Sequence, residues 1–199
     1  MLRVSLDEIA ISNGADKGST HHVKGHDFAR HYERAFAAFR EKAIRLLEIG
    51  CGGGESMRMW LEYFPNAFIF GVDVVEKTNP WNTPGSEVHP RYKFLHGNQS
   101  DPVMWKCLVA NWGAPFDIIV DDGSHMSDDV LNCFTFTWPL VKSGGFYCIE
   151  DLACSYSSIF LKGQSPMEML KERLDQLHHD SDMDSIYFSK ELAIIKKKS

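Results

Sequence analysis

The stretch "LLEIGCGGGESMRMW", residues 46–60, decides how the rest of the chain is read. An apolar run is interrupted by an acid, Glu48; glycine fills four of the five positions from Gly50 to Gly54; apolar residues then recur at helical spacing. Glycine permits a tight turn and lets a ligand approach the backbone. A buried strand, a glycine turn and a helix open an α/β sheet, in which ligands bind beyond the carboxyl ends of the strands. The turn is not the dinucleotide pattern, which read from Gly50 requires glycine where Glu55 stands, and no lysine follows as in a P-loop. An acid just before the turn is awkward for a pyrophosphate and suits a cation.

Outward from this stretch, strands are predicted at 44–50, 68–74 ("FIFGVDV"), 92–97 ("YKFLHG"), 116–122 ("FDIIVDD") and 144–151 ("GGFYCIED"). Helices are predicted between them: over 26–40, where Phe28, Tyr32, Phe36 and Phe39 share a face; over 56–64, capped by Ser56 and stopped by Pro65; from Asp101-Pro102; from about Ser127; and over 165–179. Residues 76–91, with three prolines, read as a loop, and "SIYFSKELAIIKKK" (185–198) as a closing hairpin. The fold class is therefore α/β: a Rossmann-like, doubly wound sheet of about seven strands, mostly parallel, with a C-terminal antiparallel hairpin. Residues 1–199 form one domain, of which 1–42 are an N-terminal helical segment.

The bulk numbers narrow the function class. At 44 % hydrophobic and 24 % charged the composition is that of a soluble globular protein. A formal charge of −6 without a basic stripe argues against a nucleic-acid partner, and the terminal lysines read as a solvated end. Five cysteines, an odd number with no CxxC pair, read as reduced thiols in an intracellular protein. No signal-peptide core and no run of roughly 20 apolar residues is present, so the expectation is a cytoplasmic protein without a membrane partner.

In such a sheet the residues that end strands carry the chemistry. Asp73 ends the second strand, 23 residues after Gly50, where an acid accepts both hydroxyls of a ribose. "LLEIGCGGG" followed by "FGVDV" resembles the first two motifs of class I S-adenosylmethionine methyltransferases. The resemblance implies that Gly50, Gly52 and Gly53 line the cofactor, that Asp73 holds its ribose, and that Glu48 lies near its methionine end. The loop "GNQSD" (97–101) would flank the adenine, making Gln99, Ser100 and Asp101 candidates; a polar turn with Asp101 as helix cap is the plain alternative.

"IIVDDGSHMSDD" and "YCIEDLACSY" put Asp121, Asp122, Glu150 and Asp151 at the ends of two strands expected to be neighbours. Like charges so close are costly, and a divalent cation relieves them. Oxygen donors without clustered cysteine suit Mg²⁺ or another hard cation. The plain alternative is helix capping by Asp122 or Ser124, which leaves the second acid pair unexplained. His125, three residues after Asp122, has the intrinsic pKa of a general base.

"DDGSH" with "IEDL..SY", and "ADKGSTHH" upstream, resembles the macrolide-sugar O-methyltransferases of mycinamicin and tylosin type, over nearly the whole chain. That resemblance implies Asp122, Glu150 and Asp151 as metal ligands, His125 as base, and Asp121 as a supporting acid beside the cofactor. It also implies that the N-terminal segment closes as a lid over cofactor and substrate, which makes Lys17 and His21 candidates. The chain departs from the group at Asn98, where an acid is expected, and at Cys154, where a hydroxyl residue is commoner. It is short beside the macrolide enzymes that carry an extra N-terminal domain, and a homo-oligomer is compatible with it. The implied activity is metal-dependent O-methylation of a hydroxyl on a sugar or other small natural product. Cephalosporin-hydroxylase-like proteins share much of the pattern, so oxidative tailoring is the alternative, with a catalytically silent cofactor-binding protein as another.

Overall fold

The computed structural model describes residues 3–20, 25–75, 89–179 and 181–199. Seven strands form one sheet: β1 (Arg45–Ile49), β2 (Phe68–Asp73), β3 (Tyr92–His96), β4 (Phe116–Asp121), β5 (Val141–Ile149), β6 (Met183–Phe188) and β7 (Ala193–Lys197). Their spatial order is β3-β2-β1-β4-β5-β7-β6, parallel from β3 to β5, with β7 antiparallel to both β5 and β6. β1 pairs with β2 on one side and β4 on the other, so the winding reverses at its carboxyl end and leaves a crevice there.

Helices cover both faces. α1 (Leu6–Asn13), α2 (Ala29–Phe36) and α3 (Glu55–Tyr63) pack on one, and α4 (Pro102–Trp112), α5 (Ser127–Thr137) and α6 (Pro166–Gln176) on the other. The first layer is aromatic: Tyr32, Phe36, Trp60 and Phe64 pack on one another, and Phe36 meets Phe146 of β5. The second is built on Trp105, Phe134, Tyr147 and Leu170. Alternation along the strands sends Leu46, Ile118, Val120 and Cys148 to the first layer and Leu47, Ile119, Tyr147 and Ile149 to the second. Both sides are buried, as the nearly unbroken apolar strands require.

Several local expectations change. α1 is held by a capping box between Ser5 and Glu8 and ends at Gly14 in the left-handed region. Ser56 does not cap α3; Gly54, at φ +84°, holds the cap position and Ser56 is buried inside the helix. The 26–40 segment is α-helical only to Phe36 and tightens into a 3₁₀ turn through Phe39. β5 begins at Val141, ahead of the predicted strand, and its pairing with β4 slips between Phe116 and Ile118. Residues 76–88 of the predicted loop lie outside the described residues. Among the described residues no helix is long and apolar enough to cross a membrane.

Candidate active site

The glycine turn leaves β1 into the crevice. Gly50, at φ +83°, donates its N–H to the Val72 carbonyl at 2.8 Å, and a Cβ there would overlap the Asp122 backbone. The close neighbour at Gly50 is thus the end of β4. At Gly52, by contrast, an added Cβ would meet no atom within 4 Å, because that residue faces open space. Two cavities share it. One, of about 310 Å³, is walled by Gly50, Gly52, Asp73, Asn98, Gln99 and Ser124, among others. The other, of about 320 Å³, is walled by Gly14, Asp16, Gly52, Gly53, Ser56 and Asp122, among others.

Asp73 is fixed by two backbone donors, Cys51 N–H to Oδ2 and Val75 N–H to Oδ1, both at 2.8 Å. Gln99 accepts the Ser124 N–H at 2.9 Å and is buried beside the cavity. Ser100 and Asp101 are not on the cavity wall. Ser100 donates to Asp129 at 2.5 Å, and Asp101 caps α4 through the Val103 N–H at 2.8 Å. Asn98, the departure from the family pattern, takes a place on the wall instead.

Strand alternation separates the acids that the sequence crowds together. Glu48, Asp122 and Glu150 continue the positions that face the α1–α3 layer, and there they converge on one ammonium, that of Lys17. Its Nζ lies 2.5 Å from Asp122 Oδ2, 2.8 Å from Glu150 Oε2 and 3.4 Å from Glu48 Oε1. Lys17 is 1 % exposed. It is therefore an internal counter-ion and walls neither of the two cavities, where it was a candidate. Burial works against its charge, but Asp122, Glu150 and Glu48 outweigh this and hold its pKa well above the usual amine value.

One ammonium against three carboxylates leaves the group short of positive charge. Glu48 is farthest from it, also accepts the Trp60 indole N–H, and is pushed by burial to a pKa of about 7 despite Lys17. Glu48 sits beneath the turn and lines neither cavity. Glu150 is committed on both oxygens, to Lys17 and to the Tyr32 hydroxyl at 2.6 Å. Burial and Asp122 raise its pKa in spite of Lys17. Asp121 faces the other layer, where it accepts from Tyr147 at 3.1 Å and from Gln99 at 3.4 Å, and burial raises its pKa to about 7. It supports the cavity only through Gln99.

The half-buried corner beside the crevice holds a different group. Single ligand atoms of Asp122, His125 and Asp151 lie within 4.8 Å of one another. His125 Nε2 is 3.4 Å from Asp151 Oδ2 and 4.0 Å from Asp122 Oδ1. His125 and Asp151 both have positive φ, +58° and +54°, an uncommon conformation for residues with side chains and one concentrated at functional sites. Burial raises the Asp151 pKa against the pull of His125. Two carboxylates that share a cleft with an imidazole offer hard oxygen donors to a divalent cation, so the corner fits one. Glu150, the third predicted ligand, is not brought into it.

Sequence reasoning missed Gly14 and Asp16 as cavity wall, Tyr32 as the partner of Glu150, and His26, whose Nδ1 stands 3.5 Å from both Asp151 Oδ1 and Glu191 Oε2. "ADKGSTHH" (15–22) was the available signal for Asp16, and Gly14 lies immediately before it. Tyr32 reads only as a helix-face aromatic, and nothing local marks Glu191. His21 lies outside the described residues.

Against known proteins, the family described as "Methyltransferase domain" matches residues 47–152, from within β1 to just past β5. An 8-demethyl-8-alpha-L-rhamnosyl tetracenomycin-C 2'-O-methyltransferase of Streptomyces olivaceus is 32 % identical over 98 % of this chain and 55 % of its own length. An L-olivosyl-oleandolide 3-O-methyltransferase of Streptomyces antibioticus is 33 % identical over 90 % of this chain and 47 % of its own. Among solved structures, the MycE methyltransferase of the mycinamycin biosynthetic pathway, in complex with Mg, SAH and mycinamycin VI, superposes with a TM-score of 0.86 at 28 % identity. That match covers 98 % of this chain and 55 % of that one. The chain thus spans about half the length of the curated relatives it matches.

Proposed function

The chain belongs to the methyltransferase domain family, and on that premise we propose that it transfers a methyl group from S-adenosylmethionine to a hydroxyl of a sugar or other small natural product, assisted by a divalent cation. One observation carries the reading: the cavities over the glycine turn share Asp122 with the corner where His125 and Asp151 meet. A cofactor and a cation would there have a common wall. The relatives named for sugar O-methylation, and the Mg- and SAH-bound MycE, support it.

In this reading Asp73, already oriented by two backbone N–H groups, accepts the ribose hydroxyls. Gly52 leaves room for the cofactor against the backbone, and Asn98 and Gln99 flank its base. Asp122 and Asp151 would hold Mg²⁺, and Glu150 would join them only if its Oε2 left Lys17. Bound there, the cation lowers the pKa of an acceptor hydroxyl and fixes its direction. His125 acts as general base: its Nε2 takes the hydroxyl proton as the oxygen bonds the methyl carbon and the electron pair of the broken C–S bond stays on sulfur. Asp151, 3.4 Å away, stabilises the imidazolium that results. Alignment of the two reactants supplies much of the acceleration.

The test is transfer of labelled methyl from S-adenosylmethionine to a panel of methyl glycosides, with and without chelator. Transfer that needs both magnesium and His125 is expected. Cofactor binding without transfer to any acceptor, or product that requires oxygen, would overturn the proposal.

A further inference from the structure

His26, Asp151 and Glu191 come from three distant parts of the chain: the segment before α2, the end of β5 and the turn joining β6 to β7. One ligand atom of each lies within 4.8 Å of the other two. His26 Nδ1 stands 3.5 Å from Asp151 Oδ1 and 3.5 Å from Glu191 Oε2. That nitrogen is buried and makes no hydrogen bond among the described residues. The remaining carboxylate oxygens turn elsewhere, Asp151 Oδ2 to His125 at 3.4 Å and Glu191 Oε1 to Lys190 at 3.5 Å. Main-chain bonds pin the group. His26 N–H donates to the Asp16 carbonyl at 2.8 Å, and Leu152, next to Asp151, donates its N–H to the Glu191 carbonyl at 3.0 Å. The three side chains are thus brought together by their backbones and not by hydrogen bonds to the imidazole.

The spacing decides what these atoms suit. A hydrogen bond from imidazole to carboxylate closes to about 2.7–3.2 Å. Octahedral Mg²⁺, with bonds of about 2.1 Å, holds adjacent donors about 3.0 Å apart. A tetrahedral ion with bonds of about 2.0–2.1 Å holds its donors about 3.3–3.4 Å apart. Both His26 distances lie nearest the last of these. We propose that His26 Nδ1, Asp151 Oδ1 and Glu191 Oε2 form a second divalent-cation site, suited to Zn²⁺, beside the one between Asp122 and Asp151. An imidazole nitrogen favours zinc over magnesium, and two carboxylates with a neutral imidazole balance the charge of the ion. Three protein donors leave the fourth position to water. A pocket of about 410 Å³, lined by His26 and Glu191 among others, supplies the way in from solvent. Asp151 then gives one oxygen to each of two ions, and the zinc ties the segment before α2 to the β6–β7 turn while fixing Asp151 from behind. The site needs neither the cofactor nor the ion at the corner, so it stands apart from the transferase reading.

The experiment uses Co²⁺ in place of Zn²⁺, because four-coordinate cobalt absorbs visible light far more strongly than six-coordinate cobalt. Metal-free protein is saturated with magnesium to fill the corner, then titrated with Co²⁺ and followed by absorption. One Co²⁺ per chain with four-coordinate bands, expelled by Zn²⁺, is expected. His26→Ala and Glu191→Gln, their folding checked by circular dichroism, should each weaken this binding at least about tenfold, and His125→Ala should change it by less than about twofold. The His26 ring resonances of the wild type, shifted by bound cobalt, read the same ligation without any substitution. No Co²⁺ bound, six-coordinate bands alone, unshifted His26 resonances, or binding that survives both His26→Ala and Glu191→Gln would overturn the site. Absence of methyl transfer with this binding intact would sink the transferase reading and leave the site standing.

Discussion

Over the β1–β2 side of the crevice the wall is backbone: Gly50 packed on the end of β4, Gly52 open to the cavity, and Asp73 locked by two N–H donors. Over the β4–β5 side the wall is charge: Glu48, Asp122 and Glu150 around Lys17, with Asp151 and His125 at the rim. The first region is shaped by what is missing from the side chains, and its partners are neighbouring strands of the same sheet. The second is stable only because a residue more than 100 positions away in sequence from Asp122 supplies a cation. A site assembled from backbone is fixed when the sheet forms, whereas one assembled from buried charge depends on every member being present.

The largest effect expected from this contrast is at Lys17. Lys17→Met strands three carboxylates and should cost about 3–5 kcal/mol of stability, read by urea unfolding. Added magnesium should recover part of that loss; an indifferent variant would mean the acids are balanced some other way. His125→Ala should lower turnover about a thousandfold while leaving magnesium affinity, measured calorimetrically, unchanged. A matching fall in magnesium affinity would instead make His125 a ligand.

On the backbone side, Gly50→Ala should cost about 3 kcal/mol, since it combines positive φ with overlap on Asp122. Gly52→Ala should cost only about 1 kcal/mol yet weaken SAH binding, because its Cβ enters the cavity rather than the protein. Equal costs at the two glycines would erase the distinction between them.

The smallest effect is in pH dependence. Glu48 titrates near 7 when folded, against an ordinary 4.5, so the folded state holds its proton more tightly than the unfolded chain. Its contribution is therefore complete below about pH 4.5 and is lost as pH rises through about 7. Glu48→Gln should flatten the stability slope across that window, compared by unfolding at about pH 5 and about pH 8. An unchanged slope would show that Lys17 neutralises Glu48 fully.

The sheet and the glycine turn were legible because both are local: apolar runs bounded by punctuation, and an acid closing each of the central strands. The acid cluster was legible as a composition and not as a geometry. Adjacent residues such as Asp121 and Asp122, or Glu150 and Asp151, point to opposite faces of a strand, and this alternation divides a single predicted cluster into a buried ion-pair group, a rim group and the core acid Asp121. The destination of Lys17 was unreadable because it depends on how α1 and α2 fold back over the sheet. Ser56 misled for a simpler reason: a good capping residue lost its position to Gly54, whose left-handed backbone the turn required.

Gly14, Asp16 and Lys17 occupy one short span, yet the first two wall a cavity and the third plugs the acids. The wall of that cavity and the ammonium shared by Glu48, Asp122 and Glu150 are thus set by the same four residues of chain, so a substitution that reshapes one of them is felt by the other.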